Sequence, residues 1–213
     1  MKYQDFKRSL DIFFAVLLLI GFSPIMLLVA LAIKITSPGP VLVEASSPKR
    51  AGRNGKLFRL YKFRSMIPGA YFAIRNPKNK KLLEEYRKSG YKLKNDPRVT
   101  PVGRVIRKYS VDELPQLFNV LKGEMSIIGP RPYYPEELKV QQARYPQTKQ
   151  SIKEALSVKP GMTGYWQVSG RSNVNFDKRI AIDAIYAKNM SLLLDMQIIL
   201  KTPWAMISGK GAI

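Results

Sequence analysis

From Ile12 to Ile33 the chain reads IFFAVLLLIGFSPIMLLVALAI without one charged side chain, and no other stretch limits the possible folds as sharply. As a helix it is long enough to cross a hydrocarbon layer of about 30 Å. A cleaved signal peptide fits less well, because no small-residue cleavage site follows and KITSPGP leads directly into more protein. Basic residues flank the stretch on both sides: Lys2, Lys7 and Arg8 before it, Lys34 and a basic remainder after it. Positive flanks prefer the cytoplasmic face, so a crossing helix would leave one flank on the wrong side. Ser23 and Pro24 stand at the midpoint. Pro24 has no amide hydrogen for the Ile20 carbonyl and its ring crowds that turn, while the Ser23 hydroxyl can satisfy the freed oxygen. Each half is then about 16 Å of helix, one leaflet deep. These features predict a monotopic protein whose residues 1–35 form a re-entrant helix-break-helix. A kinked span and the buried core helix of a soluble protein are the alternatives.

Residues 36–213 are expected to form one domain on the cytoplasmic face, with interfacial helices. Lys and Arg total 36 against 15 Asp and Glu, a formal charge of +21, so a polyanionic partner is implied: nucleic acid, an anionic membrane face or a phosphorylated small molecule. Cysteine and histidine are both absent. That excludes disulfides, thiolate chemistry, the usual zinc sites and imidazole as a general base. Catalysis must rest on carboxylates, lysines, hydroxyls or an oxygen-liganded ion such as Mg²⁺. The lack of cysteine fits a reducing compartment.

The pattern predicts an α+β fold, mainly helical with a small β element. TSPGP, 36–40, is a turn. VLVEA suggests a short strand, KRAGRNGK a hairpin loop, and LFRLYKFRSM alternates as a strand does. A charged helix is expected over 79–92 and a short basic helix or extended segment over 95–109. Beyond it lie a helix closed by Gly123, an apolar run ending in the rigid turn Gly129-Pro130-Arg131-Pro132, and a loop-rich stretch over 158–171 with an extended middle. Helical periodicity returns from Ile180 to Ile207, interrupted at Pro203, and suits either an interfacial helix or a core helix.

SVDELPQL, 110–117, sets two carboxylates side by side in this basic chain. It reads well as a helix start: Ser110 with Glu113 is a capping box, or Asp112 is itself the cap, with Pro115 in the first turn. It also reads as chemistry. Neighbouring carboxylates on a helix point about 100° apart, unsuited to flanking one glycosidic bond, but one can attack while the other holds a metal. A helix N-terminus would keep such a carboxylate ionised and favour bound phosphate. Candidate phosphate-binding cations are Lys62 and Arg64, Arg104 and Arg107, Arg171, and above all Arg131, mounted between two prolines.

Ser23-Pro24 in an apolar N-terminus, YKFRSM, DPRVTPVGRVIRKYSVDELPQLFNVLKGEMSIIGPRP, KPGMTGYWQVSGR and a final SGKGAI together resemble the monotopic phosphoglycosyl transferases, the bacterial sugar transferase family. The resemblance covers nearly the whole chain. It implies transfer of a phospho-sugar from a UDP-sugar to undecaprenyl phosphate, with UMP released, at the cytoplasmic face of a bacterial inner membrane, as the first membrane step of surface-glycan synthesis. It implies Asp112 as the nucleophile that forms an aspartyl phospho-sugar, and Glu113 as its partner, with Mg²⁺ held by Asp112, Glu113 or both. Lys62, Arg64, Arg104, Arg107, Arg131, Gln167 and Arg171 are implied in substrate binding, and Ser23 and Pro24 as the break in the membrane helix. The ending resembles members that use galactose or glucose; a homo-oligomer is left open. Two departures stand out: Pro48 replaces a Gln of the family's Q-x-R-x-G element, and Tyr165-Trp166 replaces the commoner Trp-Ala. Outside this family, a basic nucleic-acid-binding protein and a non-catalytic membrane scaffold are the competing classes; the former lacks any recognition motif.

Overall fold

The computed structural model describes residues 3–43, 46–89, 93, 95–169 and 175–207. Its helices are α1 (Tyr3–Thr36), α2 (Ala70–Ala73), α3 (Lys80–Lys88), α4 (Pro101–Lys108), α5 (Gln116–Leu121), α6 (Pro135–Arg144), α7 (Lys149–Ala155), α8 (Tyr165–Val168), α9 (Phe176–Asn189) and α10 (Leu192–Ile207). Strands β1 (Arg50–Ala51) and β2 (Leu57–Phe58) form an antiparallel hairpin around the glycine-bearing loop, and β3 (Ser126–Ile128) pairs in parallel with β4 (Gly161–Thr163). The expected α+β class, mainly helical with a small β element, is what forms.

Helix α1 is a single element of 34 residues, helical straight through Ser23 and Pro24. The Ser23 hydroxyl donates to the Ile20 carbonyl at 2.8 Å, so the oxygen that Pro24 cannot serve is still satisfied and secondary structure is not interrupted there. Both ends of α1 are fastened to the same domain. Near the start, the Arg8 guanidinium donates to the Val120 and Leu121 carbonyls at 2.5 and 2.8 Å, and Asp11 accepts from the Ser126 hydroxyl and the Ile127 amide at 2.9 and 3.0 Å. Lys7 pairs with Asp195 of α10. Near the end, Ile33 packs with Phe63 and Ile106. A helix of this length projecting across a bilayer would carry one end about 50 Å from the domain; α1 instead lies along it.

The outer faces of α1 and α10 stay bare. Ile20, Leu27, Leu28 and Ile35 of α1 are each more than 60% exposed, as are Leu193, Leu200 and Trp204 of α10, while Asp195 and Ile198 of α10 turn inward. So large an apolar surface marks the lipid-facing side of a monotopic membrane protein. For α10 the structure thus favours the interfacial reading over the core one. The expected interruption at Pro203 lies elsewhere: Pro203 sits inside α10, and the chain breaks at Met190-Ser191, where Ser191 accepts from the Leu194 amide at 3.3 Å.

The strand expected over 57–66 is mostly extended coil. Only Leu57–Phe58 pairs regularly; beyond them single contacts hold the chain, from the Val43 amide to the Lys62 carbonyl (2.9 Å) and from the Phe63 amide to the Asp112 carbonyl (2.9 Å). That last bond locks YKFRSM against the acidic pair. The β3–β4 crossing needs glycine. A Cβ on Gly161 would fall 2.0 Å from the Gly129 nitrogen, and this close approach sets GPRP beside α8.

Candidate active site

The acidic pair lies between α4 and α5 in a single 3₁₀ turn, Val111–Glu113. Neither capping expectation is met. Ser110 takes a left-handed backbone (φ 56°) and its side chain makes no capping bond, and α5 begins only at Gln116. A three-residue turn has no useful macrodipole, so the ionising influence expected from a helix end has another source. It is Lys62. Its ammonium lies 2.9 Å from Asp112 Oδ2 and 3.1 Å from Glu113 Oε1, joining the two carboxylates through one cation.

Asp112 is buried, 4% exposed. Burial pushes its carboxyl above the ordinary value; Lys62 and Arg107 pull it back and the Glu113 charge adds to the rise. For Glu113 burial also acts upward, but Lys62, Arg131 and Arg50 outweigh it and hold this carboxyl below its usual range. Burial alone would lower Lys62, yet the two carboxylates hold it above its ordinary value. Adjacent acids are thereby driven apart: one is a firm anion, the other a more basic carboxylate stabilised by a single ammonium.

The pair opens into a cleft of about 340 Å³. Of the residues implied in substrate binding, Lys62, Arg107, Arg131 and Gln167 line it. Arg64 borders it too, but its guanidinium is committed to the TSPGP turn, donating to the Ser37 hydroxyl (2.6 Å), the Ser37 carbonyl (3.0 Å) and the Pro40 carbonyl (2.5 Å). It secures the end of α1 instead of facing phosphate. Arg104 is exposed on α4 and does not line the cleft. Arg171 and the SGKGAI ending lie outside the described residues. The two departures from the family pattern, Pro48 and Trp166, both face the cleft.

The cleft also holds residues that pattern reading passed over. Arg50 stacks 3.2 Å over the Tyr134 ring, while Arg131, which the sequence did single out, lies 5.4 Å from the Trp166 ring centre. Glu137 stands in the first turn of α6, where an acid reads as an ordinary helix start. Only the hairpin and the β3–β4 crossing bring these residues to the dyad.

Beneath GPRP, fully buried Asp183 of α9 accepts from the Tyr133 hydroxyl at 2.8 Å and the Arg131 amide at 3.2 Å, fixing the loop that carries Arg131. Burial pushes its carboxyl up to about 7. A carboxyl raised this far contributes stability below its unfolded value near 4, and that contribution is lost as pH climbs through 7, a difference of about 4 kcal/mol. Asp183→Asn keeps the accepting oxygen and removes the titration. The variant is expected to melt higher than the wild type at pH 8 and nearly equally at pH 4; parallel pH–melting curves would contradict this.

Buried Asp112 joined through the partly exposed Lys62 ammonium to Glu113, arginines around a cleft, and helices with bare apolar faces thus lie on one domain. The family model of bacterial sugar transferases matches residues 2–209, and the chain belongs to that family. It is 44% identical over 207 residues to an undecaprenyl-phosphate galactose phosphotransferase of Salmonella typhimurium, covering 97% of this chain and 41% of that protein. It is 40% identical over 208 residues to exopolysaccharide production protein ExoY of Sinorhizobium fredii, covering 97% of this chain and 87% of the relative. Over 201 residues it is 38% identical to an undecaprenyl-phosphate glucose phosphotransferase of Komagataeibacter xylinus, 92% of this chain and 35% of that protein. The chain thus spans less than half the length of two of these relatives and most of the third.

Proposed function

We propose that the protein transfers a phospho-sugar from a UDP-sugar to undecaprenyl phosphate through a covalent intermediate on Asp112. The observation that carries this reading is the Asp112–Lys62–Glu113 triad at the floor of an arginine-lined cleft. An Asp112 carboxylate oxygen attacks the β-phosphorus; the bond from that phosphorus to the bridging oxygen breaks, and UMP leaves with the electron pair. A phosphate oxygen of the lipid then attacks the same phosphorus and the Asp112 carboxylate departs. Both attackers are anions, so the lack of histidine is no obstacle and no strong general base is needed. Arg107 and Arg131 offset the charge of the diphosphate and position it.

Mg²⁺ would be held by Asp112, Glu113 or both. The Lys62 ammonium takes the position between Asp112 Oδ2 and Glu113 Oε1, so the ion would use the other oxygen of either carboxylate, and no set of three ligating acids occurs among the described residues. One or two carboxylates completed by substrate phosphate oxygens is the donor set Mg²⁺ commonly takes. When bound it would neutralise phosphate charge as UMP leaves.

The lipid acceptor suits the bare faces of α1 and α10, which bring the cleft to headgroup depth. Because both ends of α1 are fastened to one domain, α1 is held to one side of the membrane, the cytoplasmic face of the bacterial inner membrane. Tags at Met1 and at Ile213 are expected to be accessible from the cytoplasm only; tags on opposite sides would overturn this topology. The activity itself is tested by UMP release from a panel of UDP-sugars with Mg²⁺ and undecaprenyl phosphate. Sustained release is expected to require the lipid, and no release from any donor would defeat the proposal.

A further inference from the structure

Four polar atoms on the cleft-lining residues have no hydrogen-bond partner among the described residues: Glu137 Oε2, Gln167 Oε1, Trp166 Nε1 and Arg131 Nε. Glu137 is 2% exposed and Gln167 8%, so these are not groups that bulk water serves. The other Glu137 oxygen accepts only a long bond, 3.4 Å, from Arg179 of α9. An unpaired buried polar group costs about 1 to 3 kcal/mol, so several around one cleft call for a ligand that completes them.

The missing ligand can be specified by hydrogen count. A carboxylate oxygen and an amide oxygen only accept, while the indole N–H and the Arg131 Nε–H only donate, and the latter suits a phosphate oxygen. A diphosphate has no hydrogen to offer the first two. A polyol has both kinds of group on every hydroxyl. Position narrows it further. Arg131 lies close enough to both Glu113 and Glu137 for each carboxylate to act on its guanidinium, and it stands over the Trp166 ring. Attack at the β-phosphorus puts the sugar one oxygen away, whereas the ribose is separated from it by a further phosphate.

We propose that Glu137, Gln167 and Trp166 form the sugar subsite, accepting from two hydroxyls of a neutral hexose and donating to a third. This rests on the transferase reading above and adds the selection of the sugar. It further requires that a sugar bearing a carboxylate be a poorer donor, since its acid would meet the buried Glu137 carboxylate, whose ion pair with Arg179 is already long at 3.4 Å.

The test compares Glu137→Gln and Trp166→Phe with the wild type, measuring KM and kcat for UDP-glucose, UDP-galactose and UDP-glucuronate and, separately, inhibition by UMP, which lacks the sugar. KM for the neutral donors is expected to rise about 10- to 100-fold in Glu137→Gln, with UMP inhibition unchanged. UDP-glucuronate, a poor donor for the wild type, should close part of its gap in that variant. Inhibition by UMP that weakens in parallel would place the ribose, or only structure, at these residues and overturn the subsite. Should Glu137→Gln fail to fold, Trp166→Phe makes the same comparison, removing one N–H from a half-buried ring; unchanged KM for every donor in Trp166→Phe would also overturn it. Wild-type protein that releases no UMP from any donor would instead defeat the transferase reading, a result distinct from a sugar-independent defect.

Discussion

Asp112→Asn is expected to abolish both turnover and covalent labelling. Incubated with a radiolabelled UDP-sugar and Mg²⁺, the wild type should retain label on the protein through denaturation, and intact-mass measurement should find one phospho-sugar added. The variant should carry none. Asparagine matches aspartate in size and keeps one oxygen near Lys62, so the fold is expected to survive with little change in melting temperature. What disappears is the anionic oxygen that forms the bond to phosphorus. Nucleophile removal in enzymes of this kind of two-step chemistry lowers the rate by about 10⁴-fold or more. Label retained by Asp112→Asn would remove this residue as nucleophile, and a merely structural role for the acidic pair predicts that outcome.

The next largest effect is expected at Lys62. Its ammonium is within 3.1 Å of both carboxylates. At an effective dielectric near 20, each such contact is worth about 5 kcal/mol of direct attraction before desolvation is subtracted. Lys62→Met removes the side chain that bridges the pair. Burial already drives Asp112 toward its protonated form, and Lys62 is the largest influence opposing it. Without the ammonium the carboxyl rises further and is neutral over more of the pH range, so the acidic limb of the pH–rate profile moves to higher pH. Turnover at neutral pH is expected to fall about 100-fold or more, with part of the loss recovered in alkaline buffer. Lys62→Arg retains the charge but replaces a point cation with a planar fork, and should recover only part of the activity. Full activity in Lys62→Met at neutral pH would show that the triad is an ornament of the ground state.

Much of this molecule can be read along the chain. The uncharged run from Ile12 to Ile33 announced a lipid-facing segment, and the Ser23 hydroxyl serves the Ile20 carbonyl as the local chemistry of Pro24 requires. Gly123, with φ 77°, ends α5 where a left-handed residue was needed. These are features fixed by neighbours within one helical turn. Where the reading failed, a distant segment had intervened. Arg64 and Lys62 are two residues apart in YKFRSM, and alternation places them on one face of an extended chain; yet Arg64 is drawn to the turn after α1 and Lys62 to the dyad. The capping reading of SVDELP failed for the same reason, because Lys62 offers the carboxylates a charge-assisted partner that a local amide could not match.

Sequence alone determined the class of surface, the chemistry that histidine-free and cysteine-free composition permits, and the identity of the acidic pair, because each depends on residue types and short-range geometry. Tertiary structure alone decided which cations face that pair, that α1 is tied to the domain at both ends, and that Glu137 and Trp166 share a wall with Arg131. The contacts from Lys62 to Asp112, from Arg8 to Val120 and from Arg131 to Trp166 join segments far apart in the chain, and the short period of a helix or strand carries no information about which distant segment will close against it.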